Sequence, residues 1–291
     1  MMRFAYLRPA SVQEACELLN KYGGAAKVIA GGTDLMVQIR DEDKKLAGLK
    51  YVVDISQLNG LRYIQGDEDV VRIGALVTHD QIYNSPMLRT AAPFLPAACN
   101  TVGSPQIRHR GTIGGSVCNA SPAADPVPAL VALDASLKLE SVRGVRVVPV
   151  TSVFEKPYRT NIAADELLTE ISFKRLPAGA KTAFLKLGRR KALAIARMNV
   201  AVCLVLDGEG KVAEARIAPG SVLPKPGRVA AAEEVLVGKV PTAELLEEAG
   251  KKVAEEMVKQ SGIRWSTPYK EPVIAVLTRR ALQQAIVLTN L

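Results

Sequence analysis

Cysteine, histidine and aromatic side chains are all scarce in this 291-residue chain. The four cysteines, Cys16, Cys99, Cys118 and Cys203, are widely spaced and include no Cys-x-x-Cys pair. That spacing argues against a zinc or iron–sulfur site ligated within this chain, and a disulfide framework is not expected at this length in a reducing compartment. Aromatic residues make up 4% of the chain, too little material for a base-stacking platform. Long apolar runs are missing as well: stretches such as Val200–Leu206 are far too short to span a bilayer. The opening residues, Met-Met-Arg-Phe-Ala-Tyr-Leu-Arg-Pro, have no long apolar run and no cleavage pattern, so a cytoplasmic protein is expected. Two nucleotide fingerprints are absent. No Gly-x-Gly-x-x-Gly opens a β-α-β unit and no Gly-x-x-x-x-Gly-Lys-Ser/Thr occurs, which disfavours a Rossmann dehydrogenase and a P-loop NTPase.

What is present is a basic, mixed chain. The formal net charge is +9, but lysines and arginines are scattered apart from short clusters such as Arg189-Arg190-Lys191, so no nucleic-acid partner is expected. The length favours two or three domains. Ser11-Val12-Gln13-Glu14 is a capping box, followed by Ala15, Leu18, Leu19 and Tyr22 at helical spacing. Strands are expected at 27–30 and 52–55, then at 61–64 and 70–73. Thr78-His79-Asp80-Gln81 is a second capping box, and Pro93 suits the first turn of another helix. From Gly103 to Pro128 the composition reads as a long Gly-, Ser- and Pro-rich loop, and long loops are usually functional. Further strands follow at 136–140, 146–150, 167–173, 182–187, 200–206 and 212–217, with helices at 229–236, 242–259 and 271–288. Without regular β-α-β alternation this is an α+β pattern. Breaks near Ser56 and Pro177 divide it into 1–57, 58–175 and 176–291.

Two glycine-containing segments carry the chemistry. Ala30-Gly31-Gly32-Thr33-Asp34-Leu35 leaves a strand, and Gly111-Thr112-Ile113-Gly114-Gly115-Ser116 has the same ingredients. Paired glycines let backbone N–H groups approach a phosphate closely, and the threonines add hydroxyl donors. One such loop is usually just a turn; two suggest a shared diphosphate.

With Asn119-Ala120-Ser121-Pro122-Ala123-Ala124-Asp125, Phe184-Leu185-Lys186-Leu187-Gly188-Arg189-Arg190 and Ala194-Ile195-Ala196, and a weaker echo at Ile263-Arg264 and Tyr269, these loops run in order along nearly the whole chain. The set resembles the FAD-binding subunits and domains of the xanthine dehydrogenase and carbon monoxide dehydrogenase family of molybdenum hydroxylases. The resemblance implies two N-terminal α/β subdomains enclosing FAD and a C-terminal antiparallel sheet with helices. It implies FAD contacts for Ala30, Gly31, Gly32, Thr33, Asp34 and Leu35, and for Thr112, Gly114, Gly115 and Ser116. It matches Asp125 to an acidic residue near the ribityl and diphosphate region and Lys186 to a basic residue near the isoalloxazine ring. Val102 and Leu168 fall near flavin-contacting positions. The second loop departs from the family by ending in Ser116, where asparagine is usual; weaker side-chain support is expected there, since serine still donates and accepts. The inserted cysteines of relatives with an extra iron–sulfur cluster are absent.

The remaining candidates have plainer readings. His79 and His109 are the only histidines. His79 is expected at an exposed helix cap, and His109 to help hold the second loop or to lie on the surface. The glutamates and lysines of 244–259 read as one solvated helix face. Trp265, the only tryptophan, is expected in a core or an interface.

The resemblance therefore implies an electron-transfer subunit. A large partner would hold molybdopterin and a small one two 2Fe–2S clusters, assembled as a dimer of heterotrimers. This chain would take electrons from a cluster and pass them to NAD, a quinone, oxygen or another carrier. The substrate belongs to a different polypeptide and is not legible here. A stand-alone FAD-dependent oxidoreductase and a non-enzymatic basic binding module are the alternative readings.

Overall fold

Strand and helix alternate at the start of the chain, as its capping signals require. The computed structural model describes residues 3–287. β1 (Ala5–Leu7), α1 (Val12–Tyr22), β2 (Ala26–Ile29), α2 (Leu35–Arg40) and β3 (Tyr51–Asp54) form a parallel sheet of order β1-β3-β2 with crossover helices. Ser11 Oγ caps α1 by accepting from the Glu14 N–H, while the Glu14 carboxylate reaches back to the Ala10 N–H instead of that of Ser11. The first glycine loop leaves the carboxyl end of β2, the end of an open parallel sheet where ligands characteristically bind.

The second part is a five-stranded antiparallel sheet, of order β4-β5-β10-β6-β7, with helices inserted after its second strand. In chain order it comprises β4 (Ile64–Gly66), β5 (Val70–Gly74), α3 (His79–Asn84), α4 (Pro86–Ala91), α5 (Phe94–Asn100), α6 (Pro105–Arg110), α7 (Ile113–Asn119), α8 (Pro126–Ala132), β6 (Ser136–Ser141), β7 (Gly144–Pro149), the small hairpin β8 (Phe154–Lys156) and β9 (Arg159–Thr160), and β10 (Leu167–Lys174). Two expectations need correction. The strand expected at 61–64 is a 3₁₀ turn, Asn59–Leu61, before β4 starts at Ile64. The expected loop from Gly103 to Pro128 is largely helical. Ser104 and Thr112 cap α6 and α7, and Pro105 and Pro126 occupy first-turn positions where the missing N–H costs nothing. Each of these helices has only six or seven residues, too few for hydrophobic periodicity to register.

The last part is an antiparallel sheet of β11 (Lys181–Gly188), β12 (Ala196–Leu206) and β13 (Val212–Gly220), followed by α9 (Ala230–Glu234), α10 (Ala243–Ser261) and α11 (Thr267–Val287). The final helix begins a turn earlier than expected, at Thr267, and encloses Pro272; Leu288 lies outside the described residues. Met198, Val200, Val202 and Leu204 of β12 pack with α10 and α11, while Ala201 joins the core that holds α5 and α8. A strand covered on both faces explains the continuous apolar run at 200–206. Another shared core unites Leu19 of α1 with Leu76 and Leu167, so the parallel sheet is packed onto the five-stranded one. Among the described residues, no helix is long and apolar enough to cross a membrane.

Candidate functional site

A cavity of about 570 Å³ opens where the parallel sheet meets α7 and β10. This lies within the size range of ordinary cofactor sites. All six residues from Ala30 to Leu35 line it, with Val102, Thr112, Gly114, Gly115, Ser116 and Leu168.

The first loop is shaped for backbone approach. A Cβ on Gly31 would stand 1.9 Å from the Arg110 carbonyl oxygen, so only glycine lets this loop touch the segment that leads into the second one. Gly32 has φ +75°, a left-handed conformation that glycine adopts without strain. No acceptor among the described residues takes the N–H groups of Gly31, Gly32, Thr33 or Asp34. Exposed, successive N–H groups on a concave loop form an anion cradle. Asp34 is tied sideways instead: its Oδ1 accepts from Asn119 Nδ2 at 2.9 Å, which fastens the first loop to α7. Crowding by protein raises the Asp34 pKa through desolvation.

The second loop corrects the sequence argument. Most of its N–H groups are already in use: Ile113 donates to Val77 O, Gly114 to Ala75 O, Gly115 to Thr112 Oγ1 and Ser116 to Thr112 O. Gly114 is required for a different reason, since a Cβ there would lie 2.8 Å from Ala75 Cβ and from its carbonyl oxygen. The loop is therefore a tightly docked helix start. What it still offers the cavity are the hydroxyls of Thr112 and Ser116.

Asp125 and Lys186 do not line the cavity. Asp125 is buried and Lys186 half-buried, and they bond to each other, Lys186 Nζ to Asp125 Oδ2 at 2.5 Å, with a second bond from Nζ to the Thr101 carbonyl at 2.8 Å. Asn199 Nδ2 donates to the other carboxylate oxygen at 2.9 Å. Burial pushes the Asp125 carboxyl up, against the opposing pull of the Lys186 charge. The pair ties β11 and β12 to α8 and reaches the cavity wall only through Thr101, the neighbour of Val102.

His79, expected at an exposed cap, is 2% exposed and faces the cavity. Its Nε2 lies 3.2 Å from Ser116 Oγ, and its Nδ1 has no partner. Desolvation, with Arg108 adding to it, pushes its pKa down to about 4. No local signal distinguishes this histidine from an exposed capping-box residue, because what covers it is packing by α5, α6 and the segment 111–116, which lie elsewhere in the chain. Asn119 was likewise not singled out as a lining residue. His109 is exposed, 3.4 Å from Asp80.

This arrangement, an anion cradle beside a cavity of cofactor size, defines a class: proteins that hold a phosphate-bearing ligand at a sheet end. The comparisons narrow it. The family model described as the FAD binding domain in molybdopterin dehydrogenase matches residues 2–176, and that of the CO dehydrogenase flavoprotein C-terminal domain matches residues 183–285. The nicotinate dehydrogenase FAD-subunit of Eubacterium barkeri is 39% identical over 85% of this chain and 84% of its own. The nicotine 6-hydroxylase medium subunit of Paenarthrobacter nicotinovorans is 34% identical over 96% of both chains. Among solved structures, carbon monoxide dehydrogenase from Hydrogenophaga pseudoflava superposes with a TM-score of 0.89 at 31% identity, covering 98% of each chain. The chain belongs to the family of FAD-binding medium subunits of xanthine dehydrogenase- and carbon monoxide dehydrogenase-type molybdenum hydroxylases, and is an oxidoreductase subunit.

Proposed function

We propose that this chain holds FAD in the described cavity and transfers electrons within a molybdopterin-dependent hydroxylase complex. In that complex a small partner subunit with 2Fe–2S clusters delivers electrons from a large molybdopterin subunit, and the final acceptor is a soluble carrier such as NAD. The observation that carries the reading is the first glycine loop: four unclaimed N–H groups on residues lining a cavity of about 570 Å³. They fit a diphosphate, whose oxygens need several convergent donors.

FAD supplies the redox chemistry when bound, and the protein supplies orientation and electrostatics. In this reading Gly31, Gly32 and Thr33 hold the diphosphate, and Asp34 locks the loop to α7 through Asn119. Thr112 and Ser116 add hydroxyl donors. Val102 and Leu168 give the ring region an apolar wall. The Lys186–Asp125 pair sits behind that wall, where the ammonium group favours negative charge building up beyond Thr101. Relatives named as medium chains and subunits support assembly with partner subunits; the proposed arrangement is a dimer of heterotrimers in the cytoplasm. A surface suited to a partner lies on the C-terminal part, where Ile263 and Trp265 are 85% and 96% exposed.

The test is to purify the full chain, titrate it with FAD and record the visible spectrum and the affinity. Tight uptake with a perturbed flavin spectrum is expected. A folded chain that takes up no FAD, alone or co-expressed with adjacent genes for a large and a small subunit, would remove the proposal. Absence of an associated complex after that co-expression would remove the electron-transfer part alone.

A further inference from the structure

In the second glycine loop Ile113, Gly114 and Gly115 have spent their N–H groups on Val77, Ala75 and Thr112, yet the Ser116 side chain still faces the cavity. The only hydrogen-bonding partner of Ser116 Oγ among the described residues is His79 Nε2, at 3.2 Å. His79 is wedged under the loop. Its backbone N–H donates to Gly111 O at 3.1 Å, and a Cβ on Gly111 would stand 3.1 Å from the imidazole ring. The other ring nitrogen, Nδ1, is buried without a partner.

That asymmetry decides the tautomer. The ring is held neutral at ordinary pH by its burial, with Arg108 as the charged group acting on it, so it carries one N–H. If the proton sat on Nδ1, a buried N–H would have no acceptor, the costlier of the two ways to leave a nitrogen unpaired. With the proton on Nε2, the ring donates to Ser116 Oγ and only a lone pair goes unmatched. A hydroxyl that accepts from a neighbour still has its own proton to give.

We propose that His79 is a positioning residue: its Nε2–H donates to Ser116 Oγ and so turns the Ser116 hydroxyl proton into the cavity, as a donor to a phosphate oxygen of the bound cofactor. The identity of that ligand rests on the FAD reading above. The pair gives the second loop a donor in place of the N–H groups its glycines have spent, and it assigns the buried histidine a role that a helix cap does not need.

The test uses the full chain with His79→Phe, which keeps a ring in the space, Ser116→Ala, and both together. FAD and riboflavin affinities are read by flavin fluorescence. Each single change is expected to weaken FAD binding roughly ten- to hundredfold, the size of one hydrogen bond to a charged group. The double variant should be no weaker than either single one. Riboflavin has no phosphate, so its affinity should not move. Ser116→Asn, which brings its own N–H, should recover FAD affinity in the His79→Phe background. FAD binding by His79→Phe equal to that of the parent, or riboflavin affinity falling in step with FAD, would overturn the proposal in favour of plain packing. A second measurement needs no ligand: long-range ¹H–¹⁵N spectra of the unliganded chain at pH 6 should show His79 neutral and protonated on Nε2. A proton on Nδ1, or an imidazolium, overturns the proposal by itself. Failure of the parent chain to take up FAD would instead overturn the cofactor reading, leaving the spectra to decide the His79–Ser116 orientation.

Discussion

The two glycine loops are written in nearly the same letters, Gly-Gly-Thr in one and Thr-Ile-Gly-Gly in the other, and they do different work. In the first, glycine lets the backbone press against Arg110 while its own N–H groups stay unclaimed. In the second, glycine lets a helix start dock against Ala75, and docking consumes the N–H groups of Ile113 and Gly114. A glycine pair permits close approach; what approaches, ligand or protein, is decided elsewhere.

The comparison breaks most readily at Gly31. Gly31→Val must displace the Arg110 carbonyl, a backbone atom, so FAD affinity is expected to fall more than about 100-fold, with a loss of stability of roughly 3 kcal/mol. Gly115→Ala meets only the Thr112 hydroxyl at 2.9 Å, an atom that can turn aside, and should cost less than about tenfold. Equal losses in a fluorescence titration would erase the distinction between the loops.

Acid should act on the second loop through its buried histidine. His79 has a folded pKa of about 4, below its unfolded value near 6.5. Below pH 6.5 the unfolded chain therefore binds the proton first, and stability falls as pH drops toward 4, then levels off. The whole contribution is of the order of 3 kcal/mol. Urea unfolding at pH 4, 5 and 6.5 should show this loss in the parent chain and a shallower one in His79→Phe. Parallel pH curves would show that the ring does not stay neutral.

Gly32→Ala would force a left-handed alanine, at a cost of about 1–2 kcal/mol, and should weaken FAD binding roughly tenfold through the cradle. Thr112→Ala removes a helix cap and should lower stability by about 1 kcal/mol while moving FAD affinity less than Gly32→Ala does. Calorimetry and titration on the same two variants separate a ligand loop from a structural one. Asn119→Ala, which unties Asp34, is the mildest change, with a loss of about 1 kcal/mol or less.

Much of this was legible in the chain itself. Both helix caps sit where Ser11 and Thr78 announced them, and the reciprocal box closes at Thr78, because capping is a contact between residues three apart. The glycine loops, the α+β pattern and the family all follow from residues read in order. The helices α6, α7 and α8 were not legible, since six or seven residues with glycines and prolines carry no periodic signal. His79 was misplaced at the surface for a related reason: a capping box looks the same whether or not another helix later covers it.

The sequence by itself determined where strands end in glycine, which side chains can cap, and which family the chain joins. All of these depend on residue type and on neighbours a few positions away. Tertiary structure alone decided which N–H groups remain free, that Asp125 and Lys186 pair with each other behind the cavity wall, and that a buried histidine meets Ser116. The physical reason is the same in each case: a hydrogen-bonding group is satisfied by whatever folding brings within about 3 Å of it, and these partners, Ala75 for Gly114, Lys186 for Asp125 and Ser116 for His79, come from distant parts of the chain.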